Sequence, residues 1–179
     1  MPVQMQNFLV GMLTTVDQQA VSIVCDTLGW SHSVFDVRAE YADAERYPFA
    51  SELHAKAVSE FLDSEDGDTL SRFSDVLLLG HDWGVDQEML LGMLSKVDGG
   101  SRPRIGAIGS TVKWNAFREA AIESGVSEQA VGSVRCPIGL DIGADAPDGI
   151  GGAYFDERLA PEKVGDDLDT PGVIVVKTH

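Results

Sequence analysis

Short apolar runs alternate along the chain with stretches in which apolar residues return every three to four positions, a pattern that predicts β-α-β units and a parallel sheet. The first run is Phe8-Leu9-Val10-Gly11-Met12. Val16, Ala20, Val21, Val24, Cys25 and Leu28 follow at helical spacing, with Thr15 and Gln18 placed as a capping box and Gly29 as the stop. A second strand, Ser33-Val34-Phe35, ends at Asp36. That carboxylate lies about twenty residues beyond the first turn, the distance typical of a ribose-binding acid in dinucleotide folds.

Acidic and small residues dominate from Ala39 to Leu70, where Ser51 to Leu62 reads as a helix or, in its first part, as a third short strand. Val76-Leu77-Leu78-Leu79 is wholly apolar, so it is expected to be covered on both faces. A helix from Glu88 to Leu94 follows, with Asp86 as a cap. After a loop from Val97 to Arg104, the unit repeats: Ile105-Gly106-Ala107-Ile108 as strand, Gly109-Ser110 as turn, and a helix through Trp114, Phe117, Ala121 and Ile122. The fold class expected is α/β, three layers, with a mostly parallel sheet between helices on both faces.

Residues 1–150 read as one such domain and 151–179 as an acidic extension. Between Asp145 and Asp169 eight acidic residues face only Arg158 and Lys163, and Gly149, Gly151 and Gly152 would each cost a helix roughly 1 kcal/mol. Val173-Ile174-Val175-Val176 is a β-branched run suited to an edge strand or to pairing with a second copy, which makes a homodimer an expectation.

Charge narrows the classes of partner. Thirteen basic residues against 29 acidic ones give a net charge of −16, so nucleic acid and anionic membrane surfaces are poor partners. No apolar run is long enough to span a bilayer. The amino terminus lacks the basic region of a signal peptide, and Cys25 and Cys136 form no CxxC pair, so a cytoplasmic location without a disulfide is expected.

In an open parallel sheet, ligands sit outside the carboxyl ends of the strands. Four polar segments fall there: Asp36-Val37-Arg38, Gly80 to Asp86, Gly109-Ser110-Thr111, and Arg135 to Ala144. Asp36 and Arg38 suit a ribose or phosphate, or form an exposed ion pair at a strand exit. His81 reads as a ligand donor or as a cap for the following helix, beside Asp82 and Asp86. Their spacing lacks the histidine pair of a helical zinc motif, so no metal site is expected. Cys136 reads first as a small buried hydrophobe, and as a crevice thiol only second. Trp83, Trp114 and Phe117 read as core or contact residues, and no Gly-x-Ser-x-Gly elbow supports hydrolase chemistry.

Pro137-Ile138-Gly139-Leu140-Asp141-Ile142-Gly143-Ala144, preceded by Ile105 to Ser110 and by His81-Asp82 with Asp86 four residues on, resembles the carboxy-terminal Rossmann domain of the XdhC/CoxI family. The resemblance takes in Gly29 to Arg38, where the family usually reads Asp-Pro-Arg, and covers roughly residues 8 to 150. It implies a Rossmann-like fold and an accessory factor for xanthine dehydrogenase and related molybdenum hydroxylases, one that binds molybdenum cofactor, protects it during sulfuration and helps insert it. The partners it implies are a molybdenum hydroxylase apoenzyme or a sulfurtransferase. A non-catalytic accessory protein is expected more than an enzyme.

The cofactor-binding residues expected on this basis are Thr14, Thr15, Asp36, Arg38, His81, Asp82, Gly109, Ser110, Gly139, Asp141 and Gly143. Two departures bear on the transfer. The family's amino-terminal domain has no counterpart in these residues. The first turn reads Leu13-Thr14-Thr15-Val16-Asp17-Gln18 where the family resembles Gly-Ala-Gly-His, and without those glycines, beside Asp17, NAD(P) is disfavoured. Two other readings remain. One is a nicotinamide-dependent oxidoreductase using Asp36 for ribose and His81 or Asp82 for proton transfer. The other is an interaction module that binds no ligand.

Overall fold

The computed structural model describes residues 7–11, 15–80, 82–97, 103–138 and 173–176, and their side chains within 19–80, 82–97 and 103–138. In chain order these residues form β1 (Asn7–Gly11), α1 (Thr15–Thr27), β2 (Ser31–Asp36), β3 (Glu52–Ala55), α2 (Val58–Asp63), α3 (Gly67–Leu70) and β4 (Asp75–Leu78). There follow α4 (Trp83–Lys96), β5 (Arg104–Ala107), α5 (Thr111–Glu123), α6 (Glu128–Gly132) and β6 (Val173–Val176).

All strand pairings are parallel. β3 lies outside β2, and β1 pairs with β2 along its whole length and with β4 at Phe8 and Val10. Backbone hydrogen bonds from Arg104 to Ser74 and from Ile108 to Leu78 set β5 against the other side of β4. Arg135 to Ile138 then runs beside β5, bonded to Ile105 and Ala107. The sheet runs β1-β4-β6-β2-β3, with β1 also pairing with β2 and β6 and with β5 joining it at β4; parallel strands linked through helices on both faces are the arrangement of a Rossmann-type sheet.

Side-chain alternation explains why both faces are covered. Phe35, Val76 and Leu78 point into one core, with Phe61 and Leu62 of α2, Met89, Leu90 and Met93 of α4, and Phe117 of α5. Their strand neighbours Val34, Leu77 and Leu79 point into the other, with Val21 and Cys25 of α1 and with Ala42 and Tyr47. Successive strand residues face opposite ways, so an all-apolar strand needs a layer on each side. On the α1 face the crossover from β2 to β3 is covered by turns around Tyr41 to Ala50 instead of a helix.

The open reading of Ser51 to Leu62 resolves as β3 followed by α2, and three expectations change. The helix expected at Glu88 begins at Trp83 and is capped by Asp82, whose Oδ1 accepts from the Gly84 and Val85 amides at 2.8 and 3.2 Å. Asp86 therefore sits inside the first turn and caps nothing. The run Val173–Val176 is not an edge strand: it pairs with β4 along its length and meets β2 and β1 at single positions. A strand apolar on both faces is stabilised by a place inside the sheet, where both faces are covered. The acidic segment from Asp145 to Asp169 lies outside the described residues.

Candidate functional site

Beyond the carboxyl ends of β4 and β5 lies a crevice of about 240 Å³, lined by Gly80, Trp83, Ile108, Gly109, Ser110 and Lys113. Gly80 follows β4 and opens α4, while Gly109 and Ser110 follow β5 and open α5. Ser110 is the N-cap of α5, its hydroxyl accepting from the Lys113 amide at 3.3 Å.

A buried ion pair joins the two helices behind the crevice. The Lys113 ammonium donates to Asp86 Oδ2 at 2.5 Å and to the Gly80 carbonyl at 2.9 Å, and the two side chains are 6% and 0% exposed. A Cβ at Gly80 would fall 1.8 Å from Asp86 Oδ1, and one at Gly109 would fall 2.8 Å from Lys113 Cδ. Both glycines are there because the pair fills the space their side chains would need. Sequence reading passed over Lys113. The available signal was helical phase: Asp86 shares a face with Met89, Leu90 and Met93, and Lys113 shares one with Phe117 and Ala121, all buried.

Of the core or contact roles expected of Trp83, the core role does not hold. It is 47% exposed and lines the crevice, with its ring edge-on to Phe117 at 6.3 Å.

Asp36 and Arg38 form a second polar group, at the end of β2, and neither lines the crevice. Asp36 is fully buried. Its Oδ1 accepts from the Arg38 backbone amide and Nε at 2.9 and 3.1 Å, and its Oδ2 accepts from an Arg38 terminal nitrogen at 3.0 Å. The guanidinium stacks 3.7 Å from the Tyr41 ring centroid. The carboxylate thus orients Arg38, and the partly exposed guanidinium is the group that meets the surface.

Of the expected residues, Gly109 and Ser110 come together in the crevice, Asp82 is engaged as the cap of α4, and Asp36 and Arg38 pair with each other. Thr15 is the first residue of α1. Thr14, His81, Gly139, Asp141 and Gly143 lie outside the described residues. Among the described residues no group of three His, Cys, Asp or Glu side chains could hold a metal ion, and no helix is long and apolar enough to cross a membrane. Cys136 packs against the α4–α5 core. Burial pushes its thiol up to about 11, with Lys113 opposing and Asp86 adding to the rise, so it is a neutral thiol at pH 7.

A second buried polar group lies toward the opposite end of the sheet. His32 Nε2 and the Ser22 hydroxyl are 2.7 Å apart, and His32 Nδ1 stands 3.5 Å from Asp26 Oδ1. Burial lowers the His32 pKa to about 4, with the Trp30 backbone opposing in part. Ser22 and His32 are 4% and 0% exposed, so no substrate reaches them.

The parallel strand order, the two covered faces and the crevice at the strand ends define a Rossmann-type α/β protein. The profile of the XdhC Rossmann domain matches residues 10–153, and the chain belongs to that family. Among solved structures, a protein described as a xanthine dehydrogenase from Bacillus halodurans shares the fold with a TM-score of 0.70 at 18% identity. The match covers 93% of this chain and 45% of that one, so the chain spans about half the length of that protein. No curated protein is significantly similar to it.

Proposed function

We propose that the chain is an accessory module that binds a nucleotide or a molybdopterin-type cofactor at its strand ends and assists maturation of a molybdenum hydroxylase such as xanthine dehydrogenase. Membership of the XdhC Rossmann family over residues 10–153 carries this reading. The crevice at the ends of β4 and β5 supports it. In this role the molybdenum cofactor is cargo, and the hydroxylase apoenzyme or a sulfurtransferase is the partner.

The described residues fit such a ligand. Ser110 and Lys113 supply hydroxyl and ammonium donors, Trp83 an aromatic wall, and Ile108 an apolar contact. These groups bind and orient, and the buried Asp86–Lys113 pair fixes the α4 and α5 amino termini relative to each other.

Isothermal titration of the full chain with molybdopterin, its dinucleotide forms and NAD tests the reading. Saturable binding of one of them is expected. The absence of heat with all of them at high micromolar concentration rejects it.

A further inference from the structure

Trp83 and Lys113 both touch Phe117: the indole stands edge-on to that ring at 6.3 Å, and the ammonium lies 5.3 Å from its centroid. Both also line the crevice, so an indole wall and an ammonium donor border the same space. An ammonium carries three hydrogens. Asp86 and the Gly80 carbonyl take two from Lys113, which leaves the third without a partner among the described residues on a side chain 6% exposed.

The charge of this group selects its ligand. Asp86, 2.5 Å away, already neutralises Lys113, and the chain carries −16, so a phosphate would meet no net positive field. A neutral carbonyl needs only the donor. At about 240 Å³ the crevice is below the roughly 300–1,000 Å³ of sites that enclose a drug-sized ligand, which suits one end of a larger molecule.

We propose that the Trp83–Lys113 end of the crevice holds a flat heteroaromatic ring bearing an amide or lactam carbonyl, the ring lying against the indole and the oxygen accepting the third ammonium hydrogen of Lys113. This rests on the nucleotide- or pterin-binding role above and assigns its ring end to two residues. The phosphate-bearing remainder of the ligand then lies away from Lys113.

The test measures dissociation constants of molybdopterin and NAD by titration calorimetry for the wild-type chain, Trp83→Ala, and the double variant Asp86→Leu/Lys113→Met. The double variant removes the donor without stranding a buried charge, and circular dichroism checks that each variant is folded. The ligand that binds wild type should weaken at least tenfold in both variants. Unchanged affinity in either folded variant overturns the proposal while leaving the binding role intact. Failure of both ligands to bind wild type removes that role and the proposal together.

Discussion

Lys113 and Asp86, 27 positions apart in sequence, meet at 2.5 Å where the amino termini of α4 and α5 converge, and both side chains are almost wholly buried. A buried pair of this kind is costly to break from one side only, because the remaining charge is stranded in low dielectric. Asp86→Ala should lower stability by about 3–5 kcal/mol, whereas Asp86→Leu/Lys113→Met should lie within about 2 kcal/mol of wild type. Urea unfolding of Asp86→Leu, Lys113→Met and the double variant closes the cycle. Additive effects would mean that the two groups do not act as a unit.

Gly80 makes a companion prediction. A methyl group there would overlap the Asp86 carboxylate, so Gly80→Ala should destabilise by roughly 1–3 kcal/mol as overpacking does. Gly132 in α6 has open space around the same position, and Gly132→Ala should be neutral or slightly stabilising. A thermal melt of each variant decides it. Equal shifts would remove the steric argument.

His32 sets an acid limit on the fold. Its pKa falls from 6.5 to about 4 on folding, so between these values the unfolded chain holds the extra proton. Stability contributed by the neutral ring is then full above pH 6.5 and is lost as pH falls toward 4, by about 3 kcal/mol at 1.36 kcal/mol per pH unit. Unfolding free energies at pH 4.5 and 7 for wild type and His32→Gln should show a steeper slope in wild type. Parallel slopes would place the loss on other groups.

Cys136 should be a slow thiol. With its pKa near 11, the thiolate fraction at pH 7.5 is on the order of a hundredfold below that of a thiol at 9.0. Iodoacetamide should therefore label the folded chain slowly at pH 7.5 and faster with each pH unit toward 11, with Cys25 wholly buried and protected. Rapid labelling of Cys136 at neutral pH would contradict the half-buried, neutral thiol and reopen a nucleophilic role.

The sheet was legible because its signals are local. The apolar runs at Val34-Phe35 and Val76 to Leu79 and the helical spacing after the second of them are properties of short windows, and two-sided burial follows from the runs. The helix starts were less legible. Asp82 and Asp86 are both good caps in isolation, and only the helix start at Trp83 gives Asp82 the role. The site was least legible, because its ion pair joins residues from two units that no window contains. Lys113 looks like a solvated helix lysine until Phe117 and Ala121 are seen to share its face. Trp83 looks like core for the converse reason: large aromatics are usually buried, and this one closes a crevice wall instead.

At the margin of the sheet, β3 is four residues long, and Glu52 accepts contacts from both His54 and Arg72, at 3.0 and 3.2 Å. A brief, charged margin is a poor template for a further strand. Self-association by backbone pairing along β3 is therefore disfavoured, which leaves side chains on the helices and loops as the better contact surface.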